Sequence, residues 1–504
     1  MNIDYKRSLG VLLHITSLYS PYGIGDLGPE ARKFASRLAE TGATYWQLLP
    51  LGPTGYGNSP YSARSAFAGN ELFLSPDILF EQGFLTKEEL ASAPSFPEGR
   101  VDFDAVHAWK TPLLTKAASR FLEKNGKSRA YIAFKKENGY WLEDYALYMV
   151  LYSKYRDSRW YLWDEKEKNR DPKTLAALKK NKRQNIEIIF ALQYLFYEEW
   201  TALRSYVNKL GLKLIGDVPI FAGGDSADTW SHLEIFKTDE NGAYSAVSGV
   251  PPDGFAPEGQ LWGTPVYDWK VLKETGYDWW LKRISHLFSL TDVLRIDHFK
   301  GMDAYFEIDA KATTAADGKW VKAPGADFFK TVKTTLGKLP IIAEDLGYLT
   351  PSVVKLRKSN GFPGMKISQF GFTQKENGDF NADDDFLPHN YERDYVAYTG
   401  THDNDTVRGW FDSLSPLARH QVREYLASPD EEIVWSLIRA VMLSHADTAI
   451  FPMQDLLELG ADARMNTPGT CNNINWSWRM KKDQFSEYAK NRFAFLARIS
   501  GRAR

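Results

Sequence analysis

Apolar residues along this chain recur in eight short runs separated by polar, helix-periodic stretches. The runs are GVLLHI (10–15), YWQLLP (45–50), LKLIGDVPI (212–220), DVLRIDHF (292–299), PIIAEDLG (340–347), GMKISQF (364–370), DYVAYTG (394–400) and DTAIFPMQ (447–454). Apolar runs of this length, bounded by turn signals, read as strands buried on both faces. A helix opens at Gly28-Pro29-Glu30, where Pro suits the first turn, and runs to Glu40 with Phe34 and Leu38 on one face. Further helices are predicted around 184–210 and at 351–359, 404–424 and 430–444. The alternation argues for βα units, and eight of them predict an α/β fold, a (β/α)8 TIM barrel.

Two gaps are too long for barrel loops. Residues 51–211, after the second strand, carry helical periodicity at 107–124, 143–155 and 173–206 and predict a helical insertion subdomain. Residues 221–291 form a second insertion, after the third strand. It contains the Gly/Pro-rich segment SAVSGVPPDGFAPEGQLWGTPVYDW (245–269), whose composition predicts irregular structure. Long ordered loops over a barrel mouth bind or cover ligands, which is the expectation for 245–265. The chain 1–504 is read as one barrel domain with these insertions.

Four runs lead into a carboxylate: Asp217, Asp297, Glu344 and, in GTHDND, Asp403. In a parallel barrel the loops after the strands share one face, so these acids would converge. Converging carboxylates are the chemistry of glycosidic bonds. Arg295 and Asp297 share a strand face, and a guanidinium there favours the ionised acid that nucleophilic attack requires. An isolated R-x-D is also a common structural ion pair. Glu344 and Asp345 point opposite ways. Glu344, the longer, suits a general acid, whereas Asp345 suits a helix N-cap. The His402-Asp403 pair reads as a third acid or as a turn, and no second histidine at ligand spacing supports a metal. Asp217 reads as a ligand for sugar hydroxyls or as a strand-end cap. His14 ends the first strand run and His298 follows Asp297.

Composition narrows the classes. The chain has 504 residues, a net charge of −2 and no long single-sign run, so the basic footprint of a nucleic-acid binder is missing. Its only cysteine is Cys471, which excludes an intrachain disulfide and a cysteine metal cluster. No apolar stretch approaches the ~18–20 residues of a membrane span, and the N-terminal segment has too short an apolar core for a secretion signal. The expectation is a cytoplasmic protein. Aromatics reach 14%, with 16 Trp and 26 Tyr, enough for a large core and for rings on which sugars stack. There is no phosphate loop, nucleophile elbow or dinucleotide fingerprint.

The segments HITSLYSPYGIGDLG, WQLLPLGPTGYGNSPYSARSAFAGN, DVPIF, the stretch around 250, RIDHF, AEDLG, THDND and ARMNTPGT occur in that order. Together they resemble the amylomaltases (4-α-glucanotransferases, disproportionating enzymes) of the α-amylase superfamily, nearly end to end. The resemblance implies transfer of a (1→4)-α-D-glucan segment to the 4-hydroxyl of glucose or another glucan by a retaining double displacement. Its partners would be α-1,4-glucans, maltooligosaccharides and glucose as acceptor, with no cofactor. It implies Asp297 as nucleophile, Glu344 as general acid/base and Asp403 as transition-state stabiliser. Asp217, Arg295, His298, His402 and Tyr61 would surround the sugar at the cleavage point. Gln260 and Trp262 would cover the acceptor side, Asn466 would make a more distal contact, and Tyr56 would belong to a second glucan site or to a simple Gly-flanked turn. A hydrolase of the same superfamily would share all three acids; an inactive glucan-binding protein would be free to lose them.

Overall fold

The computed structural model describes residues 7–252, 258–347 and 349–504. Eight parallel strands form one sheet: β1 (Ser8–Leu12), β2 (Tyr45–Gln47), β3 (Lys213–Val218), β4 (Val293–Ile296), β5 (Ile341–Ala343), β6 (Gly364–Ile367), β7 (Tyr395–Tyr398) and β8 (Thr448–Pro452). Their lateral order is β6-β7-β8-β1-β2-β3-β4-β5. All residues of β1, β4 and β8 are buried, as expected when helices cover the sheet outside and side chains fill it inside.

The sheet curls until β5 lies beside β6, and a side chain completes that seam. Ala343 N–H donates to the Pro363 carbonyl at 2.9 Å, but the Met365 N–H donates to Asp345 Oδ1 at 2.8 Å. A Cβ at Gly364 would lie 2.5 Å from Asp345 Oδ2, so glycine makes room for the carboxylate. Arg357, fully buried in the helix Pro351–Asn360, brings Nε within 3.0 Å of the same Oδ2. Asp345 is therefore a seam residue; that helix starts instead after Thr350.

Helices follow the strands on the outside, beginning with α1 (Pro29–Glu40). Between β2 and β3 lie α2 (Phe103–Asn125), α3 (Gly139–Tyr155) and α4 (Arg183–Lys209), with α4 packed against both others. The helical pattern at 173–206 is two helices, Pro172–Asn181 and α4. The single helix expected at 404–424 is also two, α5 (Val407–Ser413) and α6 (Pro416–Leu426). Ser415 caps α6 through Ala418 N–H, and Pro416 has no N–H to continue a helix and pushes the preceding residue out of helical geometry.

The expectation of irregular structure across 245–269 is corrected. Ala246–Val250 and Gln260–Pro265 pair antiparallel, and Ala304–Asp309 and Lys319–Lys322 extend them into a four-stranded sheet. Three of the four prolines and two of the four glycines lie between the two strands and Pro265 ends the second, while Gly249 and Gly263 lie within them, with a register shift at Gly249. Residues 253–257 of the expected covering loop lie outside the described residues.

Candidate active site

The site grows out of strand register. Asp217 on β3 stands directly opposite Arg295 on β4, so their side chains leave the same face. Arg295 Nη1 donates to both Asp217 oxygens, at 2.8 and 2.7 Å, and Nη2 lies 2.8 Å from Asp297 Oδ1. The Asp217 side chain has no exposed surface, and Tyr61 donates its hydroxyl to it at 2.7 Å. One guanidinium therefore balances a sealed carboxylate below and an accessible one at the barrel mouth.

Asp297 and Glu344 are the first residues past adjacent strands. Their N–H groups continue the ladders, Asp297 to the Val218 carbonyl and Glu344 to the Ile296 carbonyl, both at 3.0 Å. The His298 N–H donates to Glu344 Oε2 at 2.6 Å and the Leu346 N–H to Oε1 at 3.2 Å. The first of these depends on His298 adopting a left-handed backbone (φ 49°), rare for a residue with a side chain. Burial, then the neighbouring charge of Asp297, pushes the Glu344 carboxyl up to about 8; Arg295 and the two N–H donors oppose the rise. Glu344 is thus protonated at neutral pH while a guanidinium attends Asp297. That is the division of roles a glycosidic pair requires.

Asp403 approaches from the loop after β7. Asn466 Nδ2 donates to its Oδ1 at 2.6 Å, and His402 Nε2 lies 3.5 Å from the same oxygen. Arg464 ties the two loops together, donating to the carbonyls of Asp403 (2.6 Å) and Asn466 (2.8 Å). Asn466, which the family resemblance makes a distal contact, stands here against the third acid.

Tyr61 stacks on His402, with ring centroids 5.0 Å apart and planes 15° from parallel, and Trp476 leans against both. Across the cleft Trp262 meets His298 edge-on at 4.8 Å, and its indole N–H donates to Gln260 Oε1 at 3.1 Å. His298 Nε2 is buried and has no hydrogen-bond partner among the described residues. Burial lowers the His298 imidazole to about 4, so at neutral pH it is uncharged. Asp297, Asp403, Tyr61, His402, Gln260, Trp262, Asn466 and Trp476 all line one open cleft.

Two other candidates are not among the residues that line this cleft. His14 sits past the end of β1, buried edge-on against Phe73. Tyr56 is 77% exposed on a single turn of helix, Tyr56–Asn58, outside that cleft lining. Among the described residues no cluster of three or more His, Cys, Asp or Glu is disposed to hold a metal, and no helix is long and apolar enough to cross a membrane.

Residues 13–484 match the family model described as 4-alpha-glucanotransferase. The chain belongs to the 4-α-glucanotransferase family. The Thermus thermophilus 4-alpha-glucanotransferase is 42% identical, over 99% of this chain and 100% of its own. The chloroplastic/amyloplastic 4-alpha-glucanotransferase of Arabidopsis thaliana is also 42% identical, over 95% of this chain and 82% of its own. The amylomaltase of Streptococcus agalactiae, solved in complex with acarbose, superposes with a TM-score of 0.94 at 39% identity, covering 99% of this chain and 100% of the other. As a 4-α-glucanotransferase family member, the chain carries the converging acids in a (β/α)8 barrel. Trp476 and Arg464 were not singled out from sequence: both lie in an irregular stretch after β8 where no strand end points to them. The left-handed φ of 64° at Trp476 is a property of the fold alone.

Proposed function

We propose that this protein, working in the cytoplasm, transfers a segment of a (1→4)-α-D-glucan to the 4-hydroxyl of glucose or a glucan with retention of configuration. Asp297 attacks the anomeric carbon while Glu344 protonates the departing glycosidic oxygen, giving a covalent glycosyl-enzyme and releasing the reducing-end portion. Glu344, now a base, takes the proton from the 4-hydroxyl of an incoming sugar, which attacks the same carbon and regenerates Asp297. Asp403, oriented by Asn466, stabilises the positive charge that develops on the sugar ring. Tyr61, His402 and Asp217 with Arg295 shape the wall around that ring, and His298 bonds one of its hydroxyls.

The observation that carries this reading is that Asp297 and Glu344 are the first residues past adjacent strands, with Arg295 Nη2 2.8 Å from Asp297 Oδ1 and two backbone N–H groups on Glu344. One carboxyl stands beside Arg295, while the other is driven up by burial and by its neighbour's charge. Trp262 and Gln260 supply an acceptor wall on which a sugar is held near the reacting carbon, so sugar outcompetes water there.

Incubation of the purified protein with maltotriose tests the reading. Glucose together with maltooligosaccharides longer than the donor is the expected product set. Glucose and maltose without lengthening would make water the acceptor and the protein a hydrolase. Binding of acarbose without any turnover would make it a glucan-binding protein.

A further inference from the structure

The loop after β7, residues 399–407, carries His402 and Asp403, and both of its ends meet a single side chain. Asp455 lies in the short helix Met453–Leu456 that directly follows β8. Its Oδ2 accepts from Thr399 Oγ1 at 2.6 Å, the first residue after β7. Its Oδ1 accepts from the Val407 N–H at 2.8 Å, the first residue of α5. The carboxylate is 1% exposed and makes no cleft contact, so it has no substrate to meet.

We infer that Asp455 is a positioning residue for Asp403: one buried carboxylate fixes the span between the two ends of the loop and thereby the height at which Asp403 is presented. The crown of the loop is fixed separately, by Arg464 on the Asp403 carbonyl and by Gln369 Nε2 on the Asp405 carbonyl at 2.9 Å. Without the clamp at the base, the crown contacts and the Ser368 Oγ–Thr399 carbonyl bond remain, but the tie between Thr399 and the first residue of α5 is lost. Displacement of a stabilising charge by about 1 Å is enough to cost on the order of 100-fold in rate. The inference rests on the stabilising role proposed for Asp403.

Full-length Asp455→Ala, Asp455→Asn, Thr399→Val and Asp403→Asn are compared with the parent for kcat and KM on maltotriose and for Tm. Asp455→Ala is expected to lower kcat about 10- to 100-fold with KM changed less than about threefold. Asp455→Asn is expected to restore most of it, because the amide oxygen accepts from Val407 and the amide nitrogen donates to Thr399 Oγ1. A lowered Tm with unchanged kcat per folded molecule in Asp455→Ala would overturn the inference. If Asp455→Ala does not fold, Thr399→Val, which removes one of the two bonds, decides: a kcat lowered about 3- to 10-fold supports the clamp and an unchanged kcat overturns it. Asp403→Asn separates the two levels. Full turnover in that variant would remove the role of Asp403 itself, whereas its inactivity beside an unaffected Asp455→Ala would remove only the clamp.

Discussion

Asn466 donates its side-chain amide to Asp403 Oδ1 at 2.6 Å, while its own N–H donates to the His402 carbonyl at 3.0 Å. A single residue from the loop after β8 thus fixes both the carboxylate and the backbone of the loop after β7.

Replacing Asn466 by Ala should reduce kcat/KM about 10- to 100-fold, the value of a hydrogen bond to a charged group. Initial rates on maltotriose measure it. Since Asn466 touches the acid proposed to act in the transition state, the loss should fall mainly on kcat; a pure KM effect would return Asn466 to the role of a substrate contact.

Asp297→Asn should lower turnover by about 10⁴-fold or more, because it removes the proposed nucleophile. The Asp217–Arg295 contacts below it remain, and the introduced amide oxygen can still accept from Arg295 Nη2, so Tm and acarbose binding should stay close to those of the parent. Calorimetry on the variant checks both. Retained turnover would end the double-displacement mechanism.

Glu344 is raised to about 8, so the acid form needed for leaving-group protonation prevails below that pH and is lost above it. The profile of kcat/KM should therefore fall about tenfold per pH unit on its alkaline side, beyond about pH 8. Glu344→Gln should abolish transfer from maltotriose yet still accept a glucosyl fluoride in the first step, since fluoride leaves without a proton. A flat alkaline limb in the parent would assign the proton to another group.

Arg295→Met should be the most damaging change to the fold near the site. It strands the sealed Asp217 carboxylate, and breaking a buried pair from one side costs about 3–5 kcal/mol. Chemical denaturation measures it. Tyr61→Phe removes only a neutral donor to the same carboxylate and should cost about 0.5–1.5 kcal/mol.

The sequence exposed those parts of the site that obey a one-dimensional rule. Asp297 and Glu344 end apolar runs, and a parallel barrel then brings such ends together. The lateral partnership of Asp217 with Arg295 depends on register between β3 and β4, which no local pattern encodes. Asp455 obeys the same strand-end rule but lies one residue beyond the run 447–454, so the boundary hid it. The strands at 246–250 and 260–265 were masked by the Gly and Pro between them. Trp476 and Arg464 are positioned by long-range packing of irregular chain, for which periodicity carries no signal.

Asp345 closes the barrel seam with a carboxylate where the ladder would use a carbonyl. It is also the immediate neighbour of Glu344, so the residue that completes the hoop is joined directly to the acid proposed as proton donor. A change that slackened the hoop at Gly364 or Arg357 should therefore be felt first at the proposed proton donor, while the remaining seven junctions still held the barrel round.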